Sequence, residues 1–295
     1  MTSIPDQNRP VEGVLWMLAT GIAFVFVNGI VRYLGTALPA AESAFIRFAW
    51  GLLFLAPSLL PLLRSGVSAR LFKLFALRGA LHTVAVVLWF YAMARITISE
   101  VTAIGYLNPI IVTLGAGLLF GEGFRPARMA AIGVAMIGAL VVLRPGLREL
   151  SPGHLAQLGA AFGFGLSYLV MKRLTQLAPA STVVAVMALS VTIGLAPFAL
   201  AVWQPASLLQ VLWLGAVAVF ATAGHYCMTR AFACAPMTVT QPVTFLQLVW
   251  ATLLGWSVFG EAVDPWVILG GAIILAAVVF LTWREARGER AKGRI

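Results

Sequence analysis

The chain is poor in charge. Of its 295 residues 10% are Asp, Glu, Lys or Arg and 61% are apolar, with a mean hydropathy of +0.97. A soluble chain of this length needs far more charge to cover its surface, so the composition excludes a water-soluble domain and makes lipid the main solvent. Acidic residues are scarcest of all: Glu42, Glu100, Glu122 and Glu261 fall at the ends of apolar runs and none of them at mid-run. A pump for organic cations needs a central acid to hold its substrate, so a neutral, zwitterionic or anionic cargo is favoured. Cys227 and Cys234 lie seven residues apart on one expected helix, too far along its axis to bond, and read as small packing residues. Three histidines, no metal-ligand spacing, no nucleotide loop and no nucleophile–base set point to no metal, no cofactor and no enzyme. The net charge of +10 is spread over linkers and tail without a helical stripe or interleaved aromatics, so nucleic acid is not an expected partner. The first ten residues are polar and the first apolar run is followed by many more, a pattern not expected of a cleavable signal peptide.

Long apolar runs are what the sequence has in abundance, and they repeat. Phe120-Gly121-Glu122-x-x-x-Pro126 recurs as Phe259-Gly260-Glu261-x-x-x-Pro265, 139 residues later, and the same ungapped register pairs Ala92 with Ala231, Leu107 with Leu246 and Thr113-Leu114 with Thr252-Leu253. Self-similarity at this period implies two copies of one structural unit. Segments of roughly twenty residues, enough to cross a hydrocarbon core of about 30 Å, fall near 12–34, 41–63, 72–94, 98–120 and 127–144, then 154–172, 180–203, 209–232, 237–259 and 265–284. The predicted fold is an all-α membrane protein of ten transmembrane helices. A first repeat covers 1–146 and a second 147–295, ending in a basic tail at 284–295. Five crossings per unit is an odd number, so the second copy must lie upside down relative to the first. Charge gives a separate test, because loops rich in Lys and Arg stay cytoplasmic. With the N-terminus inside, fourteen cations fall on the cytoplasmic side and four, Arg32, Arg95, Arg144 and Arg148, on the other. Both termini are therefore expected in the cytoplasm. Inverted repeats give secondary transporters two related conformations around a site near the midplane; a duplicated scaffold or membrane enzyme is the alternative.

Gly-Glu at the end of each fourth span, before a Pro-initiated fifth, resembles the drug/metabolite transporter superfamily, EamA-type branch. Phe45-Ile46-Arg47-Phe48, Leu77-Arg78-Gly79, Tyr91-Ala92-Met93-Ala94, Asn108-Pro109 and Tyr226 with Arg230-Ala231 extend the resemblance over nearly the whole chain. It implies alternating-access transport of a small metabolite across the bacterial inner membrane, with spans one, three, four, six, eight and nine lining the route. Export of neutral or aromatic amino acids is the activity it brings forward first. A nucleotide-like, adenosyl or vitamin-type cargo comes second, ahead of toxic-amine export or a non-transporting scaffold. The second half carries Gln247-Leu248 where the first has Asn108-Pro109, with Pro242 earlier, so the two halves should kink at different depths. A monomer and a homodimer are both compatible.

The expected midplane set comes from both halves. Trp16 and Asn28 lie on span one, Trp89 and Tyr91 on span three, Tyr106 and Asn108 on span four. Ser167 and Tyr168 lie on span six, Tyr226 on span eight, and Gln241, Thr244 and Gln247 on span nine. Aromatic faces with a few amides and hydroxyls suit a molecule with an apolar body and a polar head; taken singly, each aromatic also reads as packing. His82, one turn from Arg78, and His225 should face each other at similar depth. Their usual pKa of about 6.5 would permit proton linkage, and a neutral histidine hydrogen-bonded within a helix pair is the alternative. Arg47 either snorkels outward or pairs with substrate or Glu42, and Arg47 and Arg78 are assigned to gating. Pro109 and Pro242 each free a carbonyl one turn back and are the expected hinges. Glu122 and Glu261 should receive interfacial hydrogen bonds or cap spans five and ten, which begin at Pro126 and Pro265. Gly159-x-x-x-Gly163 and Ala135-x-x-x-Ala139 offer small faces for close helix contact.

Overall fold

The computed structural model describes residues 9–60, 68–108, 110–111, 126–144, 149–174, 177–234, 243 and 246–292. Ten α-helices lie within them, in the order of the ten expected spans. They are α1 Pro10–Leu34, α2 Ala40–Leu55 (continued by a 3-10 turn, Ala56–Leu59), α3 Ala69–Met93, α4 Ile98–Gly105 and α5 Pro126–Leu143, then α6 Pro152–Leu174, α7 Ala180–Ala201, α8 Leu208–Cys234, α9 Leu246–Phe259 and α10 Pro265–Lys292. Six of these, α1 to α3 and α6 to α8, are long and apolar enough in themselves to cross a membrane. Their outward residues are apolar too: Leu53, Phe72, Leu200, Leu208 and Trp256 are exposed, as lipid contact requires.

Local signals set the helix ends. Proline opens α1, α5, α6 and α10, where a missing N–H leaves no bond unmade. The Ser68 hydroxyl accepts from Leu71 N–H at the start of α3, and Thr97 with Glu100 forms a reciprocal capping box on α4. The glycine of the repeated Phe-Gly-Glu motif has a specific task in the second copy. Gly260 takes φ +63°, a left-handed conformation that glycine adopts without strain, and turns the chain out of α9.

Packing follows an exchange of helix n with helix n+5. The most extensive contacts are α1 with α8 and α3 with α6, which that exchange interconverts, and α5 with α10 and α2 with α7, which it maps onto themselves. Equivalent helices run antiparallel. Glu42, early in α2, accepts from Gln204 N–H just beyond α7 at 3.0 Å. Arg144, after α5, pairs with Asp264, before α10. Ile98 N–H, the first of α4, donates to Glu261 beyond α9 at 3.0 Å. Antiparallel equivalents are what inversion of one copy requires, so the fold contains two inverted five-helix repeats. The small-residue faces sit at these contacts. A Cβ on Gly138 would stand 2.8 Å from Gly270 O, with Ala135 and Ala139 buried on the same helix, and a Cβ on Gly163 would stand 2.9 Å from the Cβ of Ala85.

Candidate functional site

Two histidines meet where the repeats join. His82 on α3 and His225 on α8 are both buried, with ring centroids 5.6 Å apart and planes at 68°. His82 Nδ1 lies 3.2 Å from the hydroxyl of Ser167 on α6, which is itself fully buried. The close approach of Gly163 to Ala85, about one turn away on each helix, brings that pair within hydrogen-bond distance. Aromatic rings close around the imidazoles. Phe164 and Phe48 meet His82 edge-on at 5.1 Å and 6.1 Å, and Phe24 meets His225 at 5.3 Å. Tyr168 stacks with Phe164 along α6, the planes 14° apart. The facing histidines are therefore as expected, while Phe24 and Phe164 are additions that no polar or motif signal marks in the sequence, and Phe48 stands there only as the last residue of a family-like motif.

Two buried arginines flank this cluster. Arg78, one turn before His82, is 1% exposed. Its Nη1 donates to Val183 O at 3.0 Å and its Nη2 lies 3.2 Å from Met187 Sδ, both on α7, while its Nε has no hydrogen-bond partner. Arg47, 6% exposed, lays its guanidinium 3.8 Å from the centroid of the Phe48 ring, the ring that meets His82. Arg47 does not snorkel and does not pair with Glu42, whose carboxylate instead accepts from Gln204 N–H. Among the described residues neither arginine has a carboxylate at ion-pair distance. A guanidinium removed from water needs compensating charge or acceptors; among the described residues the centre supplies no carboxylate and leaves Arg78 Nε without an acceptor.

Several members of the expected midplane set lie nearer the helix ends. Trp16 and Tyr226 meet edge to face at 6.3 Å toward the end that carries the α1 N-terminus, inside an ionic cluster. There Glu12 pairs with Arg9 at 2.7 Å and Arg230 at 3.6 Å and accepts from Trp16 Nε1 at 3.2 Å, while Arg230 donates to the Tyr226 hydroxyl at 3.4 Å. Glu12 has no counterpart among the sequence-predicted site residues; its i, i+4 spacing to Trp16 is the signal that finds it. Trp89 and Tyr91 lie in the last two turns of α3, at the opposite end, and the Tyr91 ring carries the Arg95 guanidinium at 3.7 Å. An apolar run carries no depth mark, which is why these aromatics read as central. Tyr106 is buried, and its hydroxyl accepts from Leu248 N–H at 2.8 Å, joining α4 to α9. Asn108 has a buried amide oxygen without a partner, Gln247 lies beside Gly21 of α1, and Asn28 is half-buried. Pro109, Pro242, Gln241, Thr244 and Glu122 lie outside the described residues.

The end opposite the Glu12 cluster is drawn together by Arg32. Its Nη1 donates to Met93 O at 3.2 Å and Ile96 O at 3.0 Å, and its Nη2 stands 2.9 Å from Glu261 Oε1, an ion pair without hydrogen-bond alignment. The other oxygen of Glu261 accepts the first N–H of α4. Of the two roles expected for Glu261, it takes the interfacial hydrogen bond, capping a helix of the other repeat in place of α10. The left-handed turn at Gly260 swings its carboxylate away from α10, whose Trp266 N–H goes to Asp264 Oδ1 at 2.9 Å.

The chain is similar to known proteins along nearly its whole length. The family described as EamA-like transporter family matches residues 11–144 and again 151–283. The chain is similar to a riboflavin transporter of Vibrio cholerae serotype O1, 30% identical over 295 residues that span 98% of this chain and 99% of that protein. It is 32% identical to a riboflavin transporter of Rhizobium johnstonii over 291 residues, 97% of this chain and 95% of the relative. An S-adenosylmethionine uptake transporter of Rickettsia prowazekii is 22% identical over 281 residues, 95% of this chain and 96% of its own length. Family and apolar helices together make this a multi-pass protein of the inner membrane and a transporter of small metabolites. Matched in both halves, with the inverted ten-helix fold already evident, the chain belongs to the EamA-like transporter family.

Proposed function

We propose that the chain carries a planar, acceptor-rich heteroaromatic metabolite of the flavin type across the inner membrane by alternating access. One observation carries this reading. Two buried arginines and two buried histidines stand among aromatic rings, with no carboxylate to answer them among the described residues. A flat ring suits a site among aromatic side chains, and a ring carbonyl supplies the acceptor that Arg78 Nε lacks. The relatives named for riboflavin and S-adenosylmethionine transport support the same chemical class. On this reading the halves 1–146 and 147–295 rock about the histidine pair. The Arg32–Glu261 pair holds the periplasmic end shut, and the end with the Glu12 cluster and both termini faces the cytoplasm.

Export of an amino acid is the second reading, favoured by the carboxylate of a zwitterion, which would also answer Arg47 or Arg78. It is weaker because the cluster offers no carboxylate for the ammonium group.

A bacterial riboflavin auxotroph without its own importer separates the two. Expression of the chain should lower the riboflavin concentration needed for growth, and Arg78→Ala should abolish the gain. Unchanged growth with the protein present in the membrane, together with efflux of a loaded neutral amino acid, would transfer the assignment to the second reading.

A further inference from the structure

Two polar atoms of the central cluster are buried and unpaired: Arg78 Nε and His225 Nδ1. Their residues are 1% and 7% exposed. Both side chains are held in place by other contacts. The guanidinium of Arg78 is fixed at its far end by Val183 O and Met187 Sδ, and the ring of His225 by edge contacts with Phe24 and His82. A buried donor or acceptor left open carries its full desolvation penalty, and native proteins leave few of them. Here two occur in one cluster, on α3 and α8, one from each repeat. His82 stands one turn, about 6 Å, along α3 from Arg78 and touches His225, so the two residues with unpaired atoms flank one imidazole. The Phe164–Tyr168 stack lies beside that same imidazole.

We infer that these two atoms read one edge of the substrate. Arg78 Nε–H donates to a ring carbonyl, and His225 Nδ1 accepts the ring N–H beside it. The recognised group is then an imide, a carbonyl–NH–carbonyl edge of the kind carried by uracil-type and flavin rings. This rests on the heteroaromatic reading above and narrows it, since an adenine-type ring has no such edge. His225 becomes the specificity-determining residue for the N–H, and Arg78 contributes affinity to any ring carbonyl.

The test is binding to the purified full-length protein in detergent, followed by flavin fluorescence, with riboflavin and N3-methylriboflavin as probes. The methyl group replaces the imide N–H and leaves the rest of the ring unchanged. Wild type should bind riboflavin roughly 10- to 100-fold more tightly than the methylated ring. His225→Phe should bring the two within about twofold of each other by weakening riboflavin, and His225→Gln, whose amide oxygen can accept, should keep part of the preference. Arg78→Lys should weaken both probes alike. Equal binding of the two flavins by wild type, or a preference unchanged in a monodisperse His225→Phe protein, overturns the inference and leaves the flavin reading standing. Failure of folded wild type to bind either flavin overturns both.

Discussion

The two ends of α1 are held by ion pairs that do different things. Glu12 answers Arg9 and Arg230 at one end, and Arg32 answers Glu261 at the other. Twenty residues separate Glu12 from Arg32, about 30 Å of helix and therefore the thickness of the hydrocarbon core. Side-chain exposure distinguishes them: 52%, 31% and 37% for Arg9, Glu12 and Arg230, against 22% and 8% for Arg32 and Glu261. An exposed pair contributes little because water and salt screen it, whereas loss of one partner from a largely buried pair strands the other charge. The two also join different parts. The Glu12 cluster ties α1 to α8, which already share one of the most extensive helix contacts. Arg32 gathers the ends of α1, α3 and α4 and the turn after α9, segments from both repeats. The same carboxylate–guanidinium chemistry therefore gives a closure at one end and a surface tether at the other.

Removing the closure should have the largest effect. Glu261→Ala is expected to lower stability by about 3 kcal/mol, read from thermal unfolding in detergent, and to open that end. Ser43 gives the structural readout, since it lines a cleft of about 130 Å³ there together with Thr36, Arg95 and Gln204. A Ser43→Cys probe in a Cys227→Ala, Cys234→Ala background should react faster with an impermeant thiol reagent once Glu261 is lost. Adding Arg32→Ala should then do little more, with a coupling of about 2 kcal/mol in the double-mutant cycle; full additivity would show that the two residues act separately. Tyr106→Phe should come next. It orphans Leu248 N–H at the α4–α9 contact, with an expected loss of about 1–2 kcal/mol, and unchanged unfolding would mean that the backbone finds another acceptor. Glu12→Gln should be smallest. No resolvable change in the unfolding midpoint and no change in labelling at position 43 are expected, and an effect equal to that of Glu261→Ala would collapse the distinction between the ends.

Much of the fold was legible because its determinants are one-dimensional. Span count, the ungapped repeat and the prolines at Pro126 and Pro265 all survive projection onto a string, and an odd span count forces inversion without any contact information. Part of the candidate site was legible for the same reason. One turn separates Arg78 from His82, and antiparallel helices fix the depth of His225. Side-chain partners were not legible. Glu261 reaches α4 because Gly260 turns left-handed, and that choice of neighbour exists only in three dimensions. Trp16, Trp89 and Tyr91 were placed too centrally because hydrophobicity marks a crossing but not a depth. Phe24 and Phe164 look like any lipid-facing aromatic until the imidazoles beside them are seen.

Counterflow in proteoliposomes addresses the central claim most directly. Vesicles holding the full-length protein are loaded with unlabelled riboflavin, and entry of labelled riboflavin is followed against empty vesicles. The account predicts saturable trans-stimulated entry that Arg78→Ala removes and that a neutral amino acid inside the vesicle does not support. Exchange of labelled neutral amino acids by the same protein, with none of riboflavin, would contradict it.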